Sequence, residues 1–559
     1  MRKVIVIGLD GGTWDVLKPL MERGHLPGIK SLVEGGTWGN LRTVIPPGTG
    51  PAWSTIITGL DPSNHGIADL IVRAEDSYDL AFLNADSLRA PTLWDLIGDR
   101  GGKVLVMNVP MTYPPVRVNG RLATGLLTPA GKDDWAYPEE FAGEIRKVDP
   151  SYRVVPDHAY IPGQEDQFID EMTGLAQSQG RVFRHFAADP ECSFAMQVFS
   201  ETDFLQHALW FEMDPAHPRH RPQQAARYTQ RIEHFYKTLD GIIADVSRDA
   251  GQEASIILIS DHGSGPLHEF IHANNILLKK GLLRIKSGIR SRLKYLLFRA
   301  GLTPLNVYGL SAAARLGGVG AKAGAGLRWT SKGYDLLRRL FFSFSDIDWP
   351  KSKAYAISGG VYGGVFVNLK GREPAGSVSR EDYEKVREEL RRTLLGLRHP
   401  RTGSPLVREV VAREEIYGGK FLDELPDLYF LPAEPTQAVF GDFEFSSNRT
   451  VEPASRSISA QHRMDGIFAA KGPAIKHGAM VEGITVADIA PLVLYLMDLP
   501  VPRGLDGKIV SDVVEPQELR GRPPVYFEQD GAGRFAGRRR MAGEDESIKE
   551  RLKGLGYIS

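Results

Sequence analysis

The stretch ASIILISDHG, residues 254–263, is an apolar run that ends abruptly in an acid, an imidazole and a glycine. Ile256 to Ile259 are typical of a buried parallel strand, and Asp261 and His262 follow where the chain leaves the sheet. Active sites of open α/β folds lie at this edge. Taken alone, the stretch also fits a turn in which Asp bonds to the backbone and Gly adopts a positive φ.

Two other stretches share this design, KVIVIGLDGG at 3–12 and SFAMQVFSETD at 193–203. Between them lie segments such as 13–24 and 227–251, in which apolar residues recur at the helical spacing of three and four. Strands that alternate with helices predict an α/β fold with a mostly parallel central sheet and helices on both of its faces.

The bulk properties narrow the class of protein. The chain has 559 residues, and its 68 Lys and Arg nearly balance 69 Asp and Glu, so no nucleic-acid partner is expected. Cys192 is the only cysteine, which excludes an intrachain disulfide and a thiolate zinc site and favours a cytoplasmic location. The apolar run Val4 to Leu9 is too short for a signal sequence, and no run is long enough to span a membrane.

Several residues with hard donor atoms follow the predicted strands. Phosphate chemistry assisted by two cations needs oxygen and imidazole ligands that converge on metals about 4 Å apart. Asp203 and His207 would share one face if their segment is helical, because they are four residues apart. His462, before another apolar run, taken alone is typical of a surface histidine. The candidate ligands are Asp10, Asp203, His207, Asp261, His262 and His462.

A candidate nucleophile lies in TVIPPGTGPAWSTIITGLDPSNHG, residues 43–66. Its Pro and Gly residues place Thr49 in a turn ahead of a helix-like run, where peptide N–H groups could hold a phosphoryl oxygen. A hydroxyl bound to a metal would lose its proton near neutral pH, which makes Thr49 a candidate. The alternative is that Thr49 is only a helix N-cap.

The order of these motifs resembles the alkaline phosphatase superfamily. The matching elements are Asp10, PPGTGPAW at 46–53, the DxxxH pair Asp203 and His207, SDHG at 260–263 and HRMDGIF at 462–468. Within the superfamily the sequence is most similar to the type I phosphodiesterase and nucleotide pyrophosphatase branch. The similarity covers residues 1–275 and about 420–510.

The resemblance implies two divalent metals, zinc or else manganese, and a covalent phosphothreonine. One metal would be bound by Asp203, His207 and His462, and the other by Asp10, Asp261, His262 and the nucleophile Thr49. His65 would be structural, and no role is expected for His268 or His272.

Residues around Thr49 separate the branches of the superfamily. Sulfatases need an oxidised Cys or Ser in this position, so sulfatase activity is disfavoured. No aromatic residue comes directly after Thr49, which weakens the expectation of nucleotide selectivity. The remaining candidates are a phosphodiesterase acting on a small phosphoryl ester, a phosphomonoesterase or phosphomutase, and an inactive metal-binding sensor. Gly263 and Gly265 are predicted to keep bulk away from the phosphoryl group.

The composition also changes along the chain, and the changes indicate domain boundaries. Between Lys279 and Arg339 there are fourteen basic residues and one acid. This segment could be a solvated helical face with a flexible loop, a lid for an anionic substrate, or a surface helix touching acidic lipid through a stripe at Ile285, Ile289, Leu293 and Leu296. The predicted domains are a core over 1–275 and 420–514, a basic helical insert over 276–350, a β-α-β subdomain over 351–419 and a tail over 515–559.

Overall fold

The computed structural model describes residues 1–129, 131–304, 306, 341–357, 359–441, 445–454, 457–528 and 541–542. Its centre is a nine-stranded sheet, and the six residues of its first strand are all buried. In chain order the strands of this sheet are β1 (Val4–Leu9), β2 (Thr37–Arg42), β3 (Lys103–Asn108), β4 (Gly120–Gly125), β5 (Ala136–Tyr137), β6 (Cys192–Phe199), β7 (Ser255–Ile259), β8 (Asp465–Lys471) and β9 (Ala479–Val481).

The spatial order of the strands is β9-β2-β8-β7-β1-β6-β3-β4-β5. Five neighbours from β7 to β4 are parallel, while β8 and β5 run antiparallel to the strands beside them. The three strands predicted from their acidic ends, β1, β6 and β7, are adjacent, with β1 in the middle. Their carboxyl ends therefore meet at one edge, and the α/β prediction is confirmed.

Helices connect the strands, and most present an apolar stripe to one continuous core. The helix Ile489–Leu496 is buried along its whole length, as its nearly unbroken apolar sequence predicts. The segments 13–24 and 227–251 are helical as expected. The longer helices are Trp14–Glu22, Pro27–Glu34, Thr49–Thr58, Phe141–Val148, Glu165–Ala187, Glu201–Met213, Pro222–Ala250, Ile289–Arg299, Tyr383–Leu395 and Ile489–Leu496.

A short two-stranded antiparallel sheet lies beside the carboxyl edge of the main sheet. Gly263–Pro266 pairs antiparallel with Ala460–Arg463, and its register sets Ser264 opposite His462. This pairing brings a residue from late in the chain next to the SDHG stretch. A further four-stranded sheet joins Gly359–Gly360, Gln437–Phe440, Glu269–His272 and Val451–Pro453.

A second four-stranded sheet corresponds to the predicted β-α-β subdomain. Gly363–Val367 and Val407–Ala412 are joined through the helix Tyr383–Leu395, and both pair antiparallel with Leu428–Pro432. The unit is therefore a split β-α-β. It takes its inner strand from beyond the predicted boundary at residue 419, because two parallel strands with a gap between them need a third to satisfy their backbone groups.

The predicted tail begins against the core. Tyr526–Phe527 pairs with Val501–Pro502, and Met541–Ala542 pairs with Leu80–Phe82. Much of the predicted basic insert, including GGVGAKAGAG at 317–326, lies outside the described residues. Among the residues that are described, no helix is both long and apolar enough to cross a membrane.

Candidate active site

The carboxyl ends of β1, β6 and β7 gather the predicted ligands into one buried cluster. Asp10 follows β1 directly, and Asp261 and His262 follow β7 after one residue. Asp203 and His207 lie in the helix Glu201–Met213 that starts after β6, and their side chains share one face as predicted. The six candidate ligands, Asp10, Asp203, His207, Asp261, His262 and His462, are each 0–4% exposed.

One group of donor atoms comes from Asp10, Asp261 and His262, which lie within 4.8 Å of one another. His262 Nε2 is 3.2 Å from Asp261 Oδ2 and 3.7 Å from Asp10 Oδ1. These two carboxylate oxygens are buried, and neither accepts an N–H hydrogen bond from the described residues. Two buried carboxylates, each with an oxygen that no N–H group of the described residues reaches, fit a divalent cation. Such a cation would offset both the desolvation of the carboxylates and their mutual repulsion.

The second group is built around Asp203. His207 Nε2 is 3.2 Å from Asp203 Oδ1, and His462 Nε2 is 3.8 Å from the same oxygen. The two Nε2 atoms of His207 and His462 are 3.0 Å apart. His262 belongs to this group as well as the first, and its ring stacks on that of His462 with centroids 3.6 Å apart.

Backbone carbonyls orient all three imidazoles in the same sense. Nδ1 of His207 donates to Ala460 O at 2.9 Å, and Nδ1 of His462 donates to Pro47 O at 3.1 Å. His262 Nδ1 donates to Gly263 O at 3.0 Å. A carbonyl can only accept, so each Nδ1 carries the proton and each Nε2 faces the cluster, which is the arrangement of metal-ligating histidines.

The ionisation of the cluster is strongly perturbed. Burial raises the pKa of Asp10 well above its ordinary value, and Asp261 and Asp203 raise it further. Burial also raises the pKa of Asp261. Burial opposes ionisation of Asp203 too, but the neighbouring His207 and His462 lower its pKa. Burial and the nearby His262 lower the pKa of His462 well below its ordinary value, so this imidazole is neutral. Such perturbation is typical of functional sites.

Thr49 is the first residue of the helix Thr49–Thr58 and is fully buried. Gly48 is the N-cap, so the alternative that Thr49 serves as the N-cap is wrong. Thr49 Oγ1 lies 3.3 Å from His262 Nε2, beside the first group of donors. Pro51 has no N–H, and Ala52 N donates to Gly48 O at 3.0 Å, so the intrahelical hydrogen bonds begin at Ala52.

The loop before Thr49 is tied down from two directions. Tyr417 Oη donates to Ile45 O at 2.7 Å and accepts from Ile45 N at 2.8 Å. Pro47 O accepts from His462. The loop that positions Thr49 is therefore fixed both to the split β-α-β unit and to a candidate ligand.

Known proteins share a family profile and the fold with this chain. The profile of the family described as type I phosphodiesterase / nucleotide pyrophosphatase matches residues 4–446. The chain belongs to this family. It is accordingly a phosphoric ester hydrolase of the alkaline phosphatase superfamily. His462 lies beyond the matched range, so its place in the site depends on the geometry alone.

Solved structures of low identity share the fold of this type I phosphodiesterase. Phosphonoacetate hydrolase from Sinorhizobium meliloti 1021, in complex with phosphonoformate, is 14% identical and has a TM-score of 0.50, over 89% of this chain and 95% of that one. Human ectonucleotide pyrophosphatase/phosphodiesterase 5 is 13% identical at a TM-score of 0.50, over 92% of this chain and 100% of that one. An inactive variant of the murine protein in complex with AMP has 13% identity, a TM-score of 0.51 and the same coverage. None of the curated proteins matches the chain significantly.

Two glycines have a different role from the predicted one. A Cβ on Gly263 would lie 2.2 Å from Asp465 O, and one on Gly265 would lie 2.6 Å from Arg463 Nε. These residues therefore allow close packing against the chain around the strand Ala460–Arg463, and the prediction that they keep bulk from a phosphoryl group is wrong. Gly11 does permit a close approach within the site, since its φ is +65° and a Cβ would lie 2.8 Å from Asp203 Oδ1.

The remaining histidines lie outside the cluster. His65 is fully buried, accepts from Ile67 N at 3.1 Å and bonds to Thr55 Oγ1 at 3.0 Å, which fits the expected structural role. His272 pairs with Glu452 at 2.7 Å. The His268 ring packs against that of His217, with centroids 5.0 Å apart.

Sequence reasoning missed two residues that support the site. Trp53 Nε1 donates to Asp10 Oδ2 at 3.2 Å, and Tyr417 holds the loop before Thr49. The spacing of four between Thr49 and Trp53 was a usable signal, because helical neighbours at that distance share a face. Nothing in the sequence indicated Tyr417.

Proposed function

We propose that the chain is a two-metal phosphodiesterase that uses Thr49 as its nucleophile. The observation that carries this proposal is the position of Thr49 Oγ1, 3.3 Å from His262 Nε2 and at the edge of two adjoining donor groups. The donors are imidazole nitrogen and carboxylate oxygen, which suit zinc and also manganese. When bound, such cations would lower the pKa of the Thr49 hydroxyl and offset charge on the phosphoryl oxygens.

The residues of the chain supply the metal ligands and the nucleophile that this reaction requires. Asp10, Asp261 and His262 would hold one cation, and Asp203, His207 and His462 the other. Thr49 Oγ loses its proton and forms a bond to phosphorus as the bond from phosphorus to the leaving-group oxygen breaks, and the leaving oxygen takes up a proton. Water then attacks the phosphothreonine, which releases the phosphoryl product and restores the Thr49 hydroxyl. The murine relative, inactive after a threonine was replaced by alanine, supports a threonine in this role.

The family match, to type I phosphodiesterases, favours a diester over a monoester. A cavity of about 740 Å³ lies beside the loop before Thr49. Its lining includes Pro46 and the two neighbours of Leu70 in the chain, Asp69 and Ile71. Leu70 itself contacts the position next to Thr49, because a Cβ on Gly50 would lie 2.5 Å from Leu70 Cδ2. Among the described residues, the lining of the cavity includes Pro46 but neither Thr49 nor any of the six candidate ligands, so the cavity neighbours the donor groups and is not part of them.

The test compares metal content with turnover. Protein stripped by chelation and reloaded with zinc or manganese should hydrolyse bis(4-nitrophenyl) phosphate faster than 4-nitrophenyl phosphate. Thr49→Ala should lower turnover by about a thousandfold or more while it retains two metals per chain by elemental analysis, and Thr49→Ser should recover part of the rate. Full activity of Thr49→Ala would disprove the nucleophile, and faster turnover of the monoester would disprove the diester preference.

A further inference from the structure

The helix Ile289–Arg299 carries an apolar stripe on its outer face. Ile289, Leu293 and Leu296 are 87%, 55% and 60% exposed. Their spacings of four and three place them on one side of the helix. Of the eleven large apolar side chains that are exposed in the described part of the chain, five fall between residues 289 and 302, which is a cluster and not scatter.

The opposite face fixes this helix to the protein. Phe298 is buried and its ring lies 5.3 Å from that of Phe342. Lys294 Nζ is 3.1 Å from Asp346 Oδ2, and Ser291 donates to the same carboxylate at 2.8 Å. These contacts fix the inner face of the helix to the protein, so the apolar stripe on its outer face points to solvent. Ile285, which was predicted to extend the stripe, instead precedes the helix and pairs with Ile347, so it is half-buried.

Positive charge surrounds the stripe. From Lys279 to Arg299 the sequence has eight basic residues and no acid. Lys294 is the buried one, and none of the other seven forms an ion pair with a carboxylate within the described ranges. The seven exposed cations are Lys279, Lys280, Arg284, Lys286, Arg290, Arg292 and Arg299.

We propose that the helix Ile289–Arg299 docks on an anionic lipid surface. Aliphatic side chains at the membrane boundary would bury their apolar area below the headgroups, while flanking cations meet lipid phosphates and carboxylates. Charge complementarity selects this occupant. A second copy would bring seven cations against seven, and residues 307–340 contain six basic residues and one acid, so neither could neutralise the face.

Vesicle co-sedimentation tests the proposal with the full chain. The protein should pellet with vesicles of phosphatidylcholine containing about a third phosphatidylglycerol, should release at high salt, and should stay in solution with pure phosphatidylcholine. Each basic residue near such a surface contributes about a fivefold factor in partitioning, so Arg290→Gln with Arg292→Gln should weaken binding by about 25-fold. Equal binding to neutral and anionic vesicles, or binding to neither, would overturn the proposal.

The apolar stripe is tested by charge insertion with a matched control. Leu293→Glu with Leu296→Glu should abolish vesicle binding and leave the unfolding temperature unchanged, because both side chains are exposed. Leu395→Glu is the control, since Leu395 is 43% exposed on another surface helix, Tyr383–Leu395, and its replacement should not alter binding. Equal loss in the control would count against a specific stripe.

A single-site probe excludes the other occupants. Cys192 is the only cysteine and is buried, so Leu293→Cys provides one reactive thiol. An environment-sensitive fluorescent maleimide should label this thiol rapidly in free protein. The emission of the bound probe should then shift to the blue on addition of anionic vesicles. Protection from labelling in free monomer would show that the chain covers its own stripe. A concentration-dependent dimer by sedimentation velocity, lost in Leu293→Glu, would show a second copy there. Either result would replace the lipid surface as the occupant.

Discussion

Trp53 donates its indole N–H to Asp10 Oδ2 across 3.2 Å, and so holds a carboxylate of the first donor group. A Cβ on Gly8 would lie 2.3 Å from the same ring, so the first strand has no side chain where the indole enters. The bond leaves Asp10 Oδ1 directed at His262, 3.7 Å away. Trp53 is thus a positioning residue for a candidate ligand.

Trp53→Phe should therefore weaken metal binding. Loss of a hydrogen-bonding partner of a ligand typically costs 10–100-fold in metal affinity, and we expect a decrease of about this size by titration calorimetry of the stripped protein. Trp94→Phe is the matched control, because Trp94 is equally buried and its Nε1 has no hydrogen-bond partner among the described residues. Equal affinities of the two variants would contradict the positioning role.

His262 should matter more to metal content than His207. His262 belongs to both groups of donors that lie within 4.8 Å of one another, whereas His207 belongs to neither and lies beside Asp203 and His462. We expect His262→Ala to lose most of both metals and His207→Ala to retain about one per chain, as measured by elemental analysis after gel filtration. Retention of two metals by His262→Ala would contradict a ligand role for this imidazole.

Tyr417→Phe should lower turnover without loss of metal. The variant removes both hydrogen bonds to Ile45, at a cost of about 1–2 kcal/mol, and frees the loop that ends at Thr49. The expected result is a lower kcat with metal content unchanged. Tyr429→Phe is the control, since Tyr429 is fully buried and its hydroxyl has no hydrogen-bond partner among the described residues. A similar loss of kcat in both variants would indicate a general packing defect.

His65 should make stability depend on acid pH. Burial lowers the pKa of His65 to about 3, so below about pH 6.5 the unfolded chain binds a proton that the folded chain refuses. The free energy of unfolding therefore falls as the pH drops from 6.5 toward 3, by up to about 1.4 kcal/mol per pH unit from this residue. Denaturant unfolding of His65→Gln should show a shallower slope between pH 7 and 5. His234→Gln, at an exposed position, should keep the slope of the unaltered protein.

The sequence alone determined the fold class and indicated the residues of the candidate site. Apolar runs that end in Asp10, Asp203 and Asp261 predicted strands whose carboxyl ends meet, and the structure places those strands side by side. The i, i+4 pair Asp203 and His207 was also readable, because a helix has a fixed period. These features are local, so they survive in a one-dimensional pattern.

Only the tertiary structure decided how these residues act together. The direction of each imidazole depends on a carbonyl, and for His462 that carbonyl is Pro47 O, 415 residues earlier in the chain. His262 enters both donor groups because its ring stacks on His462. Gly263 and Gly265 were misread because the Asp465 carbonyl and the Arg463 side chain that they admit lie next to them only in the folded protein. Periodicity records which face a residue occupies, whereas the contact across that face depends on the folded chain.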